Sequence, residues 1–387
     1  MEDNRVEDIL ENVVDTDSNP KEIVENEKKR AFFSAVVSCY NSNPDRIREL
    51  LESIYNAGCP QDTEVVIADD RSDNKEYLEV VKEYKDKFLD IVLTDVPDKC
   101  DDGETELIHC PGNTKETGAR AATGEWVTFI DHDDVFADNA FITVKNAISE
   151  SGEKYMVNTN FVEIDPEKNE VIKEMIHAFN WMHGKFYNLD NFWKAFDFHF
   201  PTNLQSHEDI AISSKVHCVI YRLKQEADFW VEAVTYVWRA WKDSTSRIHY
   251  VNNNNDDRTY LEFYFYDYIA STLGIYIDDF NKIVSENKLT EADVDFHVKM
   301  YADVILYMYF YIQAFKFSRG LNSNIEYEYV VKQHIRNFYA TFKVDPGFLY
   351  NLVTSDNAAW YNAVRMSAAN ATGYFVEIDP FLDFISR

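Results

Sequence analysis

The pattern of hydrophobic and polar positions changes along this chain. From residue 31 to about 150, short apolar runs alternate with segments in which apolar residues recur every three or four positions. The runs predict strands and the periodic segments predict helices. The predicted strands are 31–38, 63–69, 89–94 and 125–131, and the predicted helices are 44–57, 73–87, 114–123 and 138–149. Strands that alternate with helices are typical of βαβ units, so we expect an α/β fold with a mainly parallel sheet flanked by helices.

The pattern is less regular over the next hundred residues. Residues 154–177 predict two strands joined by a turn at 165–169, and 228–241 predict a further strand. Helices are expected near Asn188 and at about 207–216. The polar stretch 95–112 predicts a long loop, and the polar run NNNNDD at 252–257 predicts a domain boundary.

Beyond residue 257 the spacing of Tyr and Phe predicts an almost wholly helical region. Its most apolar part, 301–317, is shorter than the ~20 apolar residues of a membrane span and contains Asp303, Gln313 and Lys316. We therefore expect a buried helix there and no transmembrane segment. The predicted organisation is an acidic leader at 1–30, an α/β domain at 31–250 and a helical C-terminal domain at 251–387.

Composition limits the kinds of partner. The chain has 387 residues, of which 45% are hydrophobic and 15% aromatic, which indicates a folded protein. Its net charge of −30 argues against a broad basic face for nucleic acid, since such binding needs clustered Lys and Arg. An odd number of cysteines without a CxxC pair favours a reducing compartment, and residues 1–17 lack the apolar core of a signal peptide. We expect a cytoplasmic protein.

Candidate chemistry lies in the segment NTKETGARAATGEWVTFIDHDD, residues 113–134. This segment ends in a predicted strand, and Asp131, Asp133 and Asp134 lie at the carboxyl end of that strand. Carboxylates suit Mn²⁺ or Mg²⁺, which commonly bridge to phosphates of a substrate, and ligands bind at this edge of α/β sheets. The alternative is an acidic turn in an acidic protein.

Several short motifs follow one another along the chain. They are Cys39-Tyr40-Asn41 after the first strand, EVVIADDRSDN at 64–74, residues 113–124, Asp131-His132-Asp133, and the pair HGKFY at 183–187 with SHED at 206–209. With the last pair counted as one, these five motifs in this order resemble an inverting family 2 glycosyltransferase with the Rossmann-like GT-A fold. The resemblance covers about residues 31–250. Cys39 stands where Pro or Thr is more usual, and His132 where Ser is common.

The resemblance implies a nucleotide-sugar donor, with a UDP-sugar favoured. It assigns Tyr40 to pack on the base, Asn41 to fix the edge of the base and Asp70 to accept from its imide N–H. Asp69 would support the turn, although one of these two aspartates can instead cap the next helix. Arg120 would lie near the diphosphate, or else be held in a salt bridge.

The resemblance also implies a separate role for each of the acidic residues. Asp131 would contact the ribose or a water on the metal, and Asp133 would ligate Mn²⁺ or Mg²⁺. Asp134 would be a second ligand or support the first. His249, in a polar loop, is a candidate for an extra ligand or is an ordinary surface histidine.

On the acceptor side, Asp209 is the candidate base and Glu208 would orient it, unless both simply compensate a helix dipole. With one carboxylate at a motif position, inversion fits better than retention. His183, Lys185, Trp238 and Trp241 are the candidate acceptor-binding residues, for a glycan or other macromolecule. The helical region would bind acceptor, form a homo-oligomer or cover the sheet.

Three functions are compatible with these features. The first is a metal-dependent inverting glycosyltransferase acting on a glycan or macromolecule. The second is a glycosyltransferase acting on modified nucleobases in DNA, which the charge of −30 disfavours. The third is a GT-A-like binding module without turnover, against which the presence of Asp131, Asp133 and Asp209 speaks.

Overall fold

The computed structural model describes most of the chain from residue 29 onward. The described residues are 29–151, 155–178, 181–201, 208–223, 228–242, 272–318, 325–355, 361–362, 365–366, 369 and 375–386. The leader up to residue 28, the expected boundary at 252–257 and His249 lie outside them. Ala31–Arg387 forms one unit, and its division into two domains at residue 250 stays a prediction.

Nine strands of the described residues form one sheet. They are β1 (Phe33–Cys39), β2 (Thr63–Asp69), β3 (Asp90–Asp95), β4 (Trp126–Asp131), β5 (Val135–Phe136), β6 (Met156–Asp165), β7 (Glu170–Met175), β8 (Lys185–Asn188) and β9 (Asp228–Arg239). Their order is β3-β2-β1-β4-β8-β6-β9-β5, and β7 pairs with the outer part of β6. The expected α/β class is confirmed, with all four strands of the first region close to their predicted bounds.

The first half of the sheet is parallel and the second half is mixed. β1 pairs in parallel with β2 and β4, and β2 pairs in parallel with β3. β8 then runs antiparallel to both β4 and β6, whereas β6 and β9 are parallel. The β6–β7 turn is too short for a crossover, so this hairpin is antiparallel.

In the part of the chain that the structure describes, the sheet is flanked by α1 (Pro44–Asn56), α2 (Tyr77–Glu83), α3 (Pro111–Ala121), α4 (Ala140–Ser151) and α5 (Glu208–Leu223), with a π-helical turn at Leu189–Lys194. Helix α1 begins as expected, because the Asn43 side chain accepts from two backbone N–H groups and Pro44 takes the first position. Helix α3 begins three residues earlier than expected, within the predicted loop.

The core has a layer on each face of the sheet. Alternate residues of β1 point to opposite faces, so Ala35 and Val37 pack with α1, α2 and α4, while Val36 packs with α3 and α5. This arrangement holds the carboxyl ends of β1, β2 and β4 between two helical layers.

The C-terminal region is helical, as expected. Its helices cover 272–285, Glu291–Ser318, Ile325–Phe342, Phe348–Thr354 and Asp379–Ser386. The apolar stretch at 301–317 lies in the longest of them and buries Tyr301, Ile305 and Phe310 in a third hydrophobic cluster. Within the described residues, every helix is too short or too polar to span a bilayer.

Candidate functional site

The site forms where β1, β2 and β4 end side by side. Cys39 of β1 pairs with Asp69 of β2, and Ser38 pairs with Asp131 of β4. The two aspartates therefore flank β1, and the Ser38 hydroxyl donates to Asp131 Oδ1 over 3.3 Å. We call these three strand ends the donor edge.

The acidic loop, Asp131–Asp134, is fastened to β9. Asp134 is buried and accepts hydrogen bonds from the Tyr236 hydroxyl, at 2.5 Å, and the Arg239 backbone N–H, at 2.7 Å. Burial and the neighbouring Asp133 raise the pKa of Asp134 well above its usual range. The Asp133 carbonyl accepts from the Trp241 indole at 3.0 Å. These bonds fix the loop against β9, beside the donor edge.

Three side chains fit a divalent cation. Asp131, Asp134 and His183 each offer a ligand atom, and these atoms lie within 4.8 Å of one another. His183 Nδ1 is buried and, within the described part of the chain, has no hydrogen-bond partner. Burial lowers the pKa of His183 to about 3, so the ring is neutral, which is the form that binds metals. The structure thus brings His183, expected on the acceptor side, to the acidic loop.

Asp133 lies beside this group. Its carboxylate is 4.0 Å from the Arg46 guanidinium, and burial raises its pKa against the opposing effect of His132. Its role as a metal ligand stays a prediction, as does that of His249.

Lys115 connects the two halves of the site and was missed by the sequence analysis. Its Nζ lies 3.1 Å from Asp131 Oδ1 and 2.7 Å from Glu208 Oε1, and its side chain is only 6% exposed. Burial alone lowers the pKa of a lysine, but Asp131 and Glu208 outweigh it and raise the pKa of Lys115. Lys115 is therefore a buried cation between the donor edge and the start of α5.

The start of α5 carries the candidate base. Burial, followed by the charge of Glu208, raises the pKa of Asp209 to about 7, while Lys115 acts in the opposite direction. A carboxyl group with such a pKa exchanges protons readily near neutral pH. A Cβ on Gly112 would lie 3.4 Å from Glu208 Cβ, so the glycine lets α3 lie close to this helix start.

The turn after β2 is built by Asp69 and Asn41. Asp69 accepts from the Ser72 N–H at 2.8 Å and from the Tyr77 hydroxyl at 2.5 Å. The Asn41 side-chain oxygen accepts from the Asn74 N–H at 3.1 Å, which joins this turn to the end of β1. Both side chains therefore have supporting contacts.

Tyr40, Asp70 and His109 line the outer part of the donor edge. Tyr40 is 47% exposed, and its ring centre lies 5.3 Å from that of His109. Asp70 is buried with its Oδ1 at 3.0 Å from the Arg71 guanidinium and 3.4 Å from His109 Nδ1. His109 was not singled out from the sequence because it falls in a polar loop.

Arg120 is placed differently from the expectation. Its side chain is 55% exposed and binds Asp101 at 2.8 Å and Glu116 at 2.9 Å. The salt-bridge alternative thus describes it, and Lys115 is the residue of α3 whose charge reaches Asp131.

The candidate acceptor residues range from buried to half-buried. Lys185 is buried and donates to the Ala178 carbonyl at 2.8 Å, and burial lowers its pKa to about 7. Trp238 stacks on His183 with ring centres 5.8 Å apart, and Trp241 has the Arg46 guanidinium over its ring at 4.1 Å. Of these residues, Trp241 also contacts the acidic loop, by donating to the Asp133 carbonyl, and acceptor binding by the four residues remains a prediction.

Comparison with known proteins gives a consistent family. The model of "Glycosyl transferase family 2" matches residues 34–210. The poly(ribitol-phosphate) beta-glucosyltransferase of Bacillus spizizenii is 24% identical over 210 residues, which are 51% of this chain and 31% of that protein. The match therefore spans about a third of that relative's length.

Solved structures agree on the fold. S. aureus TarS 1–349 superposes with a TM-score of 0.52 at 18% identity, covering 88% of each chain. Its complex with UDP-GlcNAc gives a TM-score of 0.54 at 18% identity, covering 88% of this chain and 89% of that one. Residues 34–210 therefore match the model of glycosyl transferase family 2, and the α/β fold of the chain is the expected GT-A fold.

Proposed function

We propose that this protein is a metal-dependent inverting glycosyltransferase that moves a sugar from a UDP-sugar to a hydroxyl group of a glycan or other macromolecule. One observation carries the proposal: Lys115 brings Asp131 of the donor edge and Glu208, the neighbour of the candidate base, onto one buried cation. The UDP-GlcNAc complex of S. aureus TarS supports a UDP-sugar donor, and the name of the Bacillus relative supports glycosyl transfer.

The nucleotide would bind over the donor edge. The exposed ring of Tyr40, with His109 beside it, offers a surface on which a base stacks. Asp70 lies next to these rings and has carboxylate oxygens that accept from a base N–H. Asp69 and Asn41 would keep the two turns in place through the bonds described above.

Asp131, Asp134 and His183, with Asp133 beside them, would hold Mn²⁺ or Mg²⁺. Two of the three ligand groups are carboxylates, which suit Mn²⁺ and Mg²⁺. The bound cation would neutralise the charge that develops on the departing diphosphate.

Asp209 would accept the proton of the attacking hydroxyl. Its pKa near 7 leaves a large fraction ionised at neutral pH while it keeps enough basicity to take a proton. Glu208, held by Lys115, would keep the start of α5 in position. Attack by the acceptor itself inverts the anomeric centre, so an α-linked donor would give a β-linked product.

The test is nucleotide release from UDP-, GDP- and dTDP-sugars with Mn²⁺, without acceptor, in the wild type, Asp133→Ala and Asp131→Ala. We expect slow release from one donor and a loss of at least about tenfold in both variants, because even outer-shell changes at metal sites cost about that much. Asp86→Ala, which removes an exposed carboxylate of the same charge, is the matched control.

Two results would count against the proposal. The first is neither release nor nucleotide binding with any donor, which would favour the binding module. The second is equal release by the wild type and both site variants, which would place the donor elsewhere.

A further inference from the structure

A second group of metal-binding side chains lies away from the donor edge. Cys218 of α5, Asp279 of helix 272–285 and His297 of helix Glu291–Ser318 each present a ligand atom, and these atoms lie within 4.8 Å of one another. We call them the α5 cluster. Three separate helices therefore converge on one point in the region where α5 packs on the C-terminal helices.

The α5 cluster is buried and its histidine is oriented. His297 is 0% exposed and Cys218 is 2% exposed. His297 Nδ1 lies 2.7 Å from the Asp293 carbonyl one turn earlier, so this nitrogen donates and Nε2 faces the cluster, 3.0 Å from Asp279 Oδ2. A backbone carbonyl that fixes one ring nitrogen is the arrangement that orients metal-binding histidines.

Asp279 is held from its other side. Its Oδ1 accepts from the Arg222 guanidinium on the last turn of α5, which leaves Oδ2 directed at His297. The carboxylate orientation is thus set by a contact outside the α5 cluster. Such support of a ligand by a neighbouring residue is common around metal sites.

We propose that Cys218, Asp279 and His297 bind one Zn²⁺ ion in a structural role. A thiolate, an imidazole and a carboxylate together favour Zn²⁺ over Mn²⁺ or Mg²⁺, which prefer oxygen ligands. Binding releases the Cys218 thiol proton to solvent. Without the ion, Asp279 simply accepts from His297 and Arg222, and this is the arrangement that the test must distinguish.

The site would connect the helical region to the candidate base. Asp209 lies at the start of α5, and Cys218 follows it about 13 Å along the helix axis. Cys218 packs in the hydrophobic cluster of the C-terminal helices with Tyr276 and Tyr301. A bound ion at this point would fix α5 against those helices and so fix the position of its first residues.

The test uses the full chain, purified from cells supplied with zinc and dialysed against a weak chelator. We expect one equivalent of zinc in the wild type, in Asp133→Ala and in Cys100→Ser, a cysteine-to-serine control outside the cluster. We expect none in Cys218→Ser or His297→Gln. Exchange of the zinc for Co²⁺ should give the thiolate-to-cobalt charge-transfer absorption in the wild type. The variants Cys218→Ser and His297→Gln should not show this absorption.

The proposal is overturned if the wild type holds no zinc and shows no thiolate–cobalt absorption, whatever the variants do. It is also overturned if that absorption persists in Cys218→Ser. The wild-type measurements can overturn the proposal without any variant. The test therefore remains decisive even if a variant fails to fold. Neither readout depends on glycosyl transfer, so this proposal and the proposed function fail separately.

Discussion

At the scale of single residues, the pKa of Asp209 makes the pH dependence of transfer a direct test. Asp209 must be ionised to accept a proton, and burial with Glu208 nearby raises its pKa to about 7. We therefore expect kcat/KM to fall as the pH drops below about 7. Asp209→Asn should lower kcat by about 10²–10⁴-fold, the usual contribution of a positioned base, with nucleotide binding retained.

Lys115 gives this prediction a matched pair of variants. Its charge lowers the pKa of Asp209, so Lys115→Met should move the acidic limb of the pH profile to higher pH. Lys168→Met, which removes an exposed lysine of the β6–β7 turn, should leave the limb in place. An unchanged limb in Lys115→Met would mean that Asp209 is not the titrating group.

The acidic residues of the site could be chosen from the sequence, but their partners could not. Asp131 and Asp209 stand next to recognisable segments, whereas the burial of Lys115 depends on where separate strands end. Arg120 follows Lys115 by five residues, which turns it about 140° around α3. This rotation directs Arg120 toward Asp101 and Glu116 instead of Asp131.

At the scale of elements, the close contact of α3 with the sheet depends on Gly118. A Cβ at this position would lie 2.3 Å from Val36 Cγ1 and 3.3 Å from Ala68 Cβ. Gly118→Ala should lower the free energy of unfolding by about 1–3 kcal/mol, the usual cost of overpacking a core. Denaturant unfolding monitored by circular dichroism measures it.

Gly274→Ala is the control for this change. Gly274 also lies in a helix, but a Cβ at this position would meet no atom of the described residues within 4 Å. Alanine there should stabilise the protein by about 0.5–1 kcal/mol through helix propensity. Equal effects of the two substitutions would contradict the close packing of α3 on β1.

Elements with strong local patterns were predictable and short ones were not. β1 and β2 are buried along their whole length, and α1 has a recognisable capping residue and Pro44. β8 has four residues and begins with a buried Lys185, so its sequence does not have the pattern of a core strand. β5 has two residues, and its place depends on pairing with β9.

At the scale of the whole molecule, the sequence did not predict the direction of the outer strands. The alternation of strands and helices predicted the parallel half correctly. Beyond β4, the chain passes to β8 only after β5, β6 and β7, so pairing there depends on long-range contacts. The net charge of −30 also acts at this scale, and its argument against a nucleic-acid acceptor stays a prediction.

The C-terminal helices complete the packing of α5, and their removal is the corresponding test. Ile212 and Val216 of α5 pack toward the sheet, while Cys218 and Ile210 pack in the cluster of the C-terminal helices. A chain that ends at residue 242 would expose this second face to water, at about 25 cal/mol for each Å² of apolar surface. We expect it to bind a hydrophobic dye, to aggregate in sedimentation experiments and to melt below the full chain.

The substitution Tyr301→Ala in the full chain separates the effect of lost packing from the effect of removing the residues after 242. Tyr301 is 0% exposed within the C-terminal cluster, and its truncation should cost about 3–5 kcal/mol, as for other large buried aromatics. Tyr350→Ala, which removes a half-exposed tyrosine of the same region, should cost much less. If the fragment ending at residue 242 stays monomeric with the melting temperature of the full chain, the helices are not part of the support of α5. The position of the candidate base would then be set by α3 and Lys115 alone.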